Sequence, residues 1–244
     1  MQAVQQTGLK ITVLNGGTPD NSHEVLSKVG LAPISGIGNI ALTIPPLKRA
    51  IAEQIHKPLE QIEVLFFAHT YVVQSLRLGT TGEAPFHLTA LASGEDVTEQ
   101  IDLSALFSTL PLTMEHEYTQ LLTAASAAAV FDAITKKPSA IVHAPGPIGL
   151  PGGYPVHMQG THLEVALPQG LTLDKAISVN QVGQRFDGID KIDEDGTVYF
   201  AEPNMVIFKE TLGYECLRMP LSDVEGRARE LRERYAAFIQ KMRR

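Results

Sequence analysis

The chain has 244 residues, 44% hydrophobic and 19% charged, with a formal net charge of −7, which is the composition of an ordinary globular protein able to bury a sizeable core. The acidic balance argues against a general nucleic-acid binder. One cysteine, Cys216, excludes an internal disulfide framework and a cysteine-based zinc site.

The opening MQAVQQTGLK has no basic segment leading into an apolar core, so no signal peptide is expected, and the lone cysteine fits a reducing, cytoplasmic setting. KITVLNGG reads as a short β-branched strand that stops at Asn15, Gly16 and Gly17. TPDNSHEVLSKVG follows as a helix with Pro19 in its first turn, acidic Asp20 and Glu24 early, and Gly30 as the stop. In GIGNIALTIPPLKRAIAEQIHK, Pro45 and Pro46 would break a helix interior, so the helix is expected to start there and to run to about Lys57. Next comes IEVLFFAHTYVV, a buried strand with a titratable imidazole, His69, at its end.

PFHLTAL, SGEDVTEQID and LSALFSTLP read as a strand, a polar turn and a short apolar element. Residues 114–136 give the clearest helical period, with Leu121, Ala125, Ala128 and Phe131 on its apolar stripe. The stretch LLTAASAAAVFDAI inside it is too short to cross a bilayer. AIVHAPGPIGLPGGYPVHM reads as strand, Gly/Pro-rich loop and strand, with loop amides able to face an anion. THLEVALP is a further strand, and TLDKAISVNQVGQRF a helix capped by Thr172. IDKIDEDGTVYF is a hairpin turning at Asp195-Gly196. It approaches a calcium-loop pattern, but Lys191 stands where the first carboxylate ligand belongs. A last helix over 222–242 carries Val224, Ala228, Leu231, Tyr235, Phe238 and Ile239 on one stripe, with arginines on its other faces. Interleaved helices and late runs of strands favour an α+β fold, a mixed or antiparallel sheet with helices on one side, built as a single domain over 1–244.

Several chemistries lack their signatures. There is no Gly-x-Gly-x-x-Gly after a strand, no Gly-x-x-x-x-Gly-Lys-Ser/Thr, no Gly-x-Ser-x-Gly elbow and no His-x-x-x-His pair, so no metal is expected. What remains is Asn15 and His69, an amide and an imidazole that would converge if their strands were neighbours. Imidazole is the side chain best suited to proton transfer near neutrality. The alternative is a core histidine bonded to the backbone.

The order ITVLNGGTPD, then GLAPISGIGNIALTIPPLKRAIAEQIHKPLEQIEVLFFAHTYV, resembles the second half of the lactate/malate dehydrogenase superfamily, which includes the NAD-dependent family 4 glycosidases. The likeness covers roughly residues 10 to 215. Asn15 matches the asparagine of a strand ending in Asn-Pro-Val-Asp, KPLEQIEV the turn before the catalytic strand, and His69 the catalytic histidine. THLEVALPQGLTLDKAISVNQ and IDKIDEDGTVYF are similar to the substrate-domain sheet, and HAPGPIGLPGGYP resembles a segment of the glycosidase branch. Where the dehydrogenases place Asp-x-x-Arg, this chain has Thr43 and Pro46, with Lys48 or Arg49 one turn on. The metal-binding cysteine of the glycosidases, near Gly38 and Asn39, has no counterpart.

The resemblance implies a C-terminal, substrate-domain type of fold in which residues 1–30 correspond to the last strand and helix of a nucleotide-binding half that is missing. It implies a catalytic or substrate-binding subunit of a split NAD- or NADP-dependent oxidoreductase acting on a hydroxyl or carbonyl carbon. A separate Rossmann-type polypeptide would hold the cofactor. His69 would be the general acid/base, and Asn15, Asn39, Thr43, Lys48 and Arg49 would contact substrate or cofactor. The chain would be a hetero- or homo-oligomer without nucleic-acid or membrane partners. The competing expectation is a non-catalytic oligomerisation or ligand-binding module that has lost the activity.

Overall fold

The structure, a computed structural model, describes residues 1–110, 116–135 and 141–243. A short helix α1 (Gln2–Thr7) precedes β1 (Leu14–Asn15), α2 (Asn21–Lys28), β2 (Ser35–Gly36) and α3 (Ile40–Gln54). β3 (Ile62–Ala68), α4 (Thr70–Leu76), β4 (Phe86–Ala92), β5 (Glu95–Asp96) and α5 (Leu103–Thr109) come next. α6 (His116–Thr135), β6 (Ile141–Pro145), β7 (Gly153–Gln159), β8 (His162–Val165) and α7 (Leu173–Phe186) follow. The chain continues through β9 (Ile189–Ile192), β10 (Val198–Phe200), α8 (Glu202–Leu212), β11 (Arg218–Met219) and α9 (Val224–Met242). No helix among the described residues is long and apolar enough to cross a membrane.

The main sheet has the order β5-β4-β3-β7-β6, with β8 also paired to β7, and every pairing in it is antiparallel. β9, β10 and β11 form a separate antiparallel sheet, and β1 and β2 pair in parallel. The fold class is therefore the expected α+β, with mainly antiparallel sheets packed with helices. β3 is the organising strand. Its seven residues pair with β4 from Ile62↔Ala92 to Ala68↔Phe86, but its other edge meets β7 only at Ala68↔Gly153. Where the ladder stops, the His143 ring takes over, and Phe66 N donates to His143 Nε2 at 3.2 Å.

Successive strand residues point to opposite faces, and both faces of β3 are used. Ile62, Val64, Phe66 and Ala68 join Leu47 and Ile51 of α3, Val72 of α4 and Leu106 of α5 in one cluster. Leu65 and Phe67 join Tyr154 and Val156 of β7, Val130 of α6 and Ala176 of α7 in another. Helices thus cover both sides of this strand, not one. A strand apolar at every position but Glu63 demands two covers, and the period-2 signal is lost because neither face is polar.

Other local expectations shift. β1 is cut to two residues, because only Leu14 and Asn15 find a ladder, against Ser35 and Gly36. α2 begins at Asn21, so Pro19 lies ahead of the helix instead of in its first turn. α3 starts at Ile40 and contains both Pro45 and Pro46. Burial of Ile40, Leu42 and Thr43 on the turn before them holds the helix across the two lost amide donors. Asp195-Gly196 does lie in the β9–β10 turn, with Gly196 at φ 78, but Val198 pairs with Ile192, so the loop is longer than two residues. In α6, Leu121 and Phe131 are 67% and 58% exposed, and over residues 120–135 the buried positions are Ser126, Val130 and Ala133. Residues 114 and 136, the expected ends of that helix, lie outside the described residues.

Candidate functional site

α2 carries a run of polar residues, Asp20-Asn21-Ser22-His23-Glu24, where a helix facing the interior would normally be apolar. Asp20, Asn21, His23 and Glu24 are nonetheless buried. Burial of such groups is costly unless each finds a partner, and α2 becomes the hub on which three of the residues picked from sequence converge.

His69 directly follows β3 and caps α4, with no exposed surface (0%). Its Nδ1 accepts from Tyr71 N at 3.2 Å, which assigns the ring proton to Nε2. Nε2 in turn donates to Asn21 Oδ1 at 3.2 Å. Burial lowers the imidazole to about 4, so the ring is neutral at neutral pH. The backbone of α7 presses on it, since a Cβ added to Gly183 would stand 2.5 Å from His69 Cβ. Asn21 also faces Asp187, the residue closing α7, and its hydrogen bonding works against the rise that burial imposes on that carboxyl. Asp187 keeps an exposed surface. A polar chain therefore runs from the enclosed imidazole through an amide to a carboxylate at the surface.

Asn39 sits before α3 at φ 45, a left-handed conformation for a non-glycine residue. Its side chain does not cap α3; Nδ2 donates to Asp20 Oδ1 instead. Backbone strain held by a specific side-chain contact is a recurrent mark of functional sites. Asp20 is 3% exposed. Burial raises its carboxyl to about 6, the Asn39 bond works against the rise, and the charge of Asp187 adds to it. Asn15 lies on the other flank. Its Nδ2 donates to Ser22 Oγ at 3.3 Å and to His23 Nε2 at 3.2 Å, while Gly17 N donates to its Oδ1. Burial lowers His23 to about 4.

The structure thus gathers Asn15, Asn39 and His69 around α2, through Ser22 and His23, Asp20 and Asn21 respectively. It does not gather the other three there. Thr43 is buried one turn into α3. Lys48 is half-buried near His143, an imidazole held down at about 3 by its own burial and, second, by the Lys48 charge. Arg49 is exposed.

Sequence reasoning missed the α7 side of the site. Asn180 and Gln184 are buried one turn apart, and Gly183 between them allows the close approach to His69. Asn180 Nδ2 donates to Gly153 O at 3.3 Å, and Gly152 (φ +72) leaves room for the Asn180 amide that any Cβ would fill. Burial raises the Glu24 carboxyl and the Tyr154 phenol. Five buried atoms near this seam lack a hydrogen-bond partner: His23 Nδ1, Glu24 Oε2, Tyr154 OH, Asn180 Oδ1 and Gln184 Oε1. The signal for it was present, because the stripe Ala176, Asn180, Gly183, Gln184, Asp187 has helical spacing and is polar where it should be apolar.

The seam offers a neutral imidazole, a carboxyl titrating near neutrality and several amides, all dry enough for strong electrostatic coupling. That combination has the chemistry needed to hold and relay a proton; among the described residues no group of three or more His, Cys, Asp or Glu could hold a metal ion. No protein-family model, no curated protein and no solved structure matches the chain.

Proposed function

We propose that this chain is the acid–base, substrate-facing subunit of a two-component NAD- or NADP-dependent oxidoreductase that acts on a hydroxyl or carbonyl carbon of a small polar substrate. The reading rests on the resemblance to the second half of the lactate/malate dehydrogenases, and one observation carries it: Asn15, Asn39 and His69, chosen from sequence, meet on the buried polar face of α2. In this role His69 holds a proton on Nε2, oriented by Asn21. Asp20 is a carboxyl whose titration burial raises to about 6. Asn15 and Asn39 supply amide donors.

The residues of this chain do not fit a dinucleotide. The parallel pairing among the described residues is the two-residue β1–β2. The helix after β1 begins at the carboxyl of Asp20, which opposes a pyrophosphate at that helix start. In this reading a separate Rossmann-type partner holds the cofactor, and this chain contributes proton handling and substrate contacts.

A second reading, a non-catalytic binding or oligomerisation module, is favoured by one observation. Both ring nitrogens of His69 are already bonded internally, and the ring has no exposed surface (0%).

The test is to isolate the chain with whatever polypeptide co-purifies from its native cell, then titrate NADH and NADPH by fluorescence. The chain alone should not bind nucleotide and the complex should. Within the complex, His69→Gln should keep nucleotide binding and lose turnover of 2-oxo acids or sugars by about 10²–10⁴-fold, the usual worth of a general acid/base. A complex blind to both nucleotides, or a His69→Gln variant as fast as wild type, sinks the reading in favour of the second.

A further inference from the structure

α9 is a long helix that its own fold covers only in part. None of its 19 residues is buried. Val224, Ala228, Leu231, Tyr235, Phe238 and Met242 follow one another at spacings of 4, 3, 4, 3 and 4 residues, the alternation that sets a continuous apolar seam on a helix wound against another helix. Leu231 packs against the small cluster of Met205, Tyr214 and Cys216. Farther along, Tyr235 is 55% and Met242 70% exposed. On α8 beside it, Val206 and Ile207 are exposed as well. Between the two helices runs a groove of about 360 Å³ lined by Phe200, Met205, Phe208, Tyr214, Val224 and Leu231.

The charges bordering the seam decide what covers it. One border carries Arg227, Arg234 and Lys241; the other carries Glu225, Arg232 and Ile239. Glu230, outside the seam, takes both Arg227 at 3.1 Å and Arg234 at 3.0 Å, so one acid is shared by two arginines and that trio stays positive. A basic helix on a chain of net charge −7 is a local reversal of sign. A second copy of α9 is a poor occupant. In parallel pairing its Arg232 would face Arg227, and in antiparallel pairing the Arg227–Arg234–Lys241 borders would face each other.

We propose that α9 is a docking helix for an acidic amphipathic helix of another protein. The partner lays an apolar stripe along Val224 to Met242 and sets glutamates or aspartates against Arg227, Arg232, Arg234 and Lys241. The apolar seam gives the interaction its energy, and the bordering charges give it orientation and choice of partner. The inference is independent of the α2 site.

The experiment uses the full chain and two synthetic helices of roughly four heptads with the same Ile/Leu seam, one bordered by glutamates and one by lysines. Fluorescence anisotropy should show the glutamate peptide binding about tenfold or more tightly than the lysine peptide, with the gap closing in about 1 M salt. Tyr235→Glu with Met242→Glu should abolish binding while leaving the circular dichroism spectrum unchanged, because both positions are exposed. Arg232→Glu with Lys241→Glu should invert the preference between the peptides. No measurable binding, or equal affinity for both peptides, overturns the proposal. So does a chain dimer that Tyr235→Glu dissolves, which would assign the seam to a second copy. Tighter binding to phosphatidylserine vesicles or to duplex RNA than to the glutamate peptide overturns it too.

Discussion

At the scale of single residues, the α2–α7 seam sets up opposed titrations. Asp20 is raised from 3.8 to about 6, so its contribution to stability is complete below 3.8 and is lost as pH rises through 6. His23 and His69 are lowered from 6.5 to about 4, so theirs is complete above 6.5 and is lost as pH falls through 4. With two imidazoles against one carboxyl, these three groups together make stability rise from pH 4 to 6.5. Asp20→Asn keeps an acceptor for Asn39 and removes the opposing group. Its stability, from urea unfolding, should therefore increase between pH 4 and 8 by about 3 kcal/mol more than the wild type's; parallel curves would mean that Asp20 titrates normally. Gly183 makes a different demand. Alanine is ordinarily better than glycine inside a helix by about 1 kcal/mol, yet a Cβ here would stand 2.5 Å from His69 Cβ. Gly183→Ala should cost about 1–3 kcal/mol, and a gain in the urea midpoint would show that α7 does not press on the ring.

At the scale of elements, the errors of the sequence reading have identifiable causes. α6 is alanine-rich, with small apolar residues spread around much of its circumference, so its period offers two stripes of nearly equal merit. Leu121 and Phe131 mark one, and the fold buries the other through Ser126, Val130 and Ala133. Val130→Ala should therefore cost about 2 kcal/mol, while Leu121→Ser should stay within about 0.5 kcal/mol; the reverse order would restore the stripe read from sequence. The prolines of α3 misled for a related reason. A proline is a strong local signal, but the apolar turn ahead of it is buried whether or not two backbone bonds are missing. Pro45 is exposed, so Pro45→Ala restores a donor to the Ala41 carbonyl without emptying the core. Its melting temperature should rise, by the equivalent of up to about 3 kcal/mol. The polar face of α2 is legible as a run of five polar residues, but acidic residues are welcome at any helix start, so the run by itself does not mark a buried face.

At the scale of the whole molecule, stability is unevenly distributed. β3 is bonded to β4 along its length and sandwiched between two apolar clusters, whereas α9 has no buried residue. Native-state hydrogen exchange should find the β3 and β4 amides slowest and those of α9 fastest, unless a bound partner protects α9. The sequence by itself determined the longer strands β3, β4, β6, β7 and β8, the β9–β10 hairpin without its turn length, the helix capped by Thr172 and the placing of His69 at a strand end. Those features depend on neighbours a few residues apart, where side-chain period and turn chemistry act directly. The tertiary structure alone decided the site. His69 meets Asn21 across 48 residues of chain, and Asn39 meets Asp20 across 19. The polar faces of α2 and α7 come together only because the sheet brings them there. A contact between distant segments has no period to betray it, and burial, which turns an ordinary aspartate and histidine into groups titrating about two units from their usual values, exists only once the chain has closed around them.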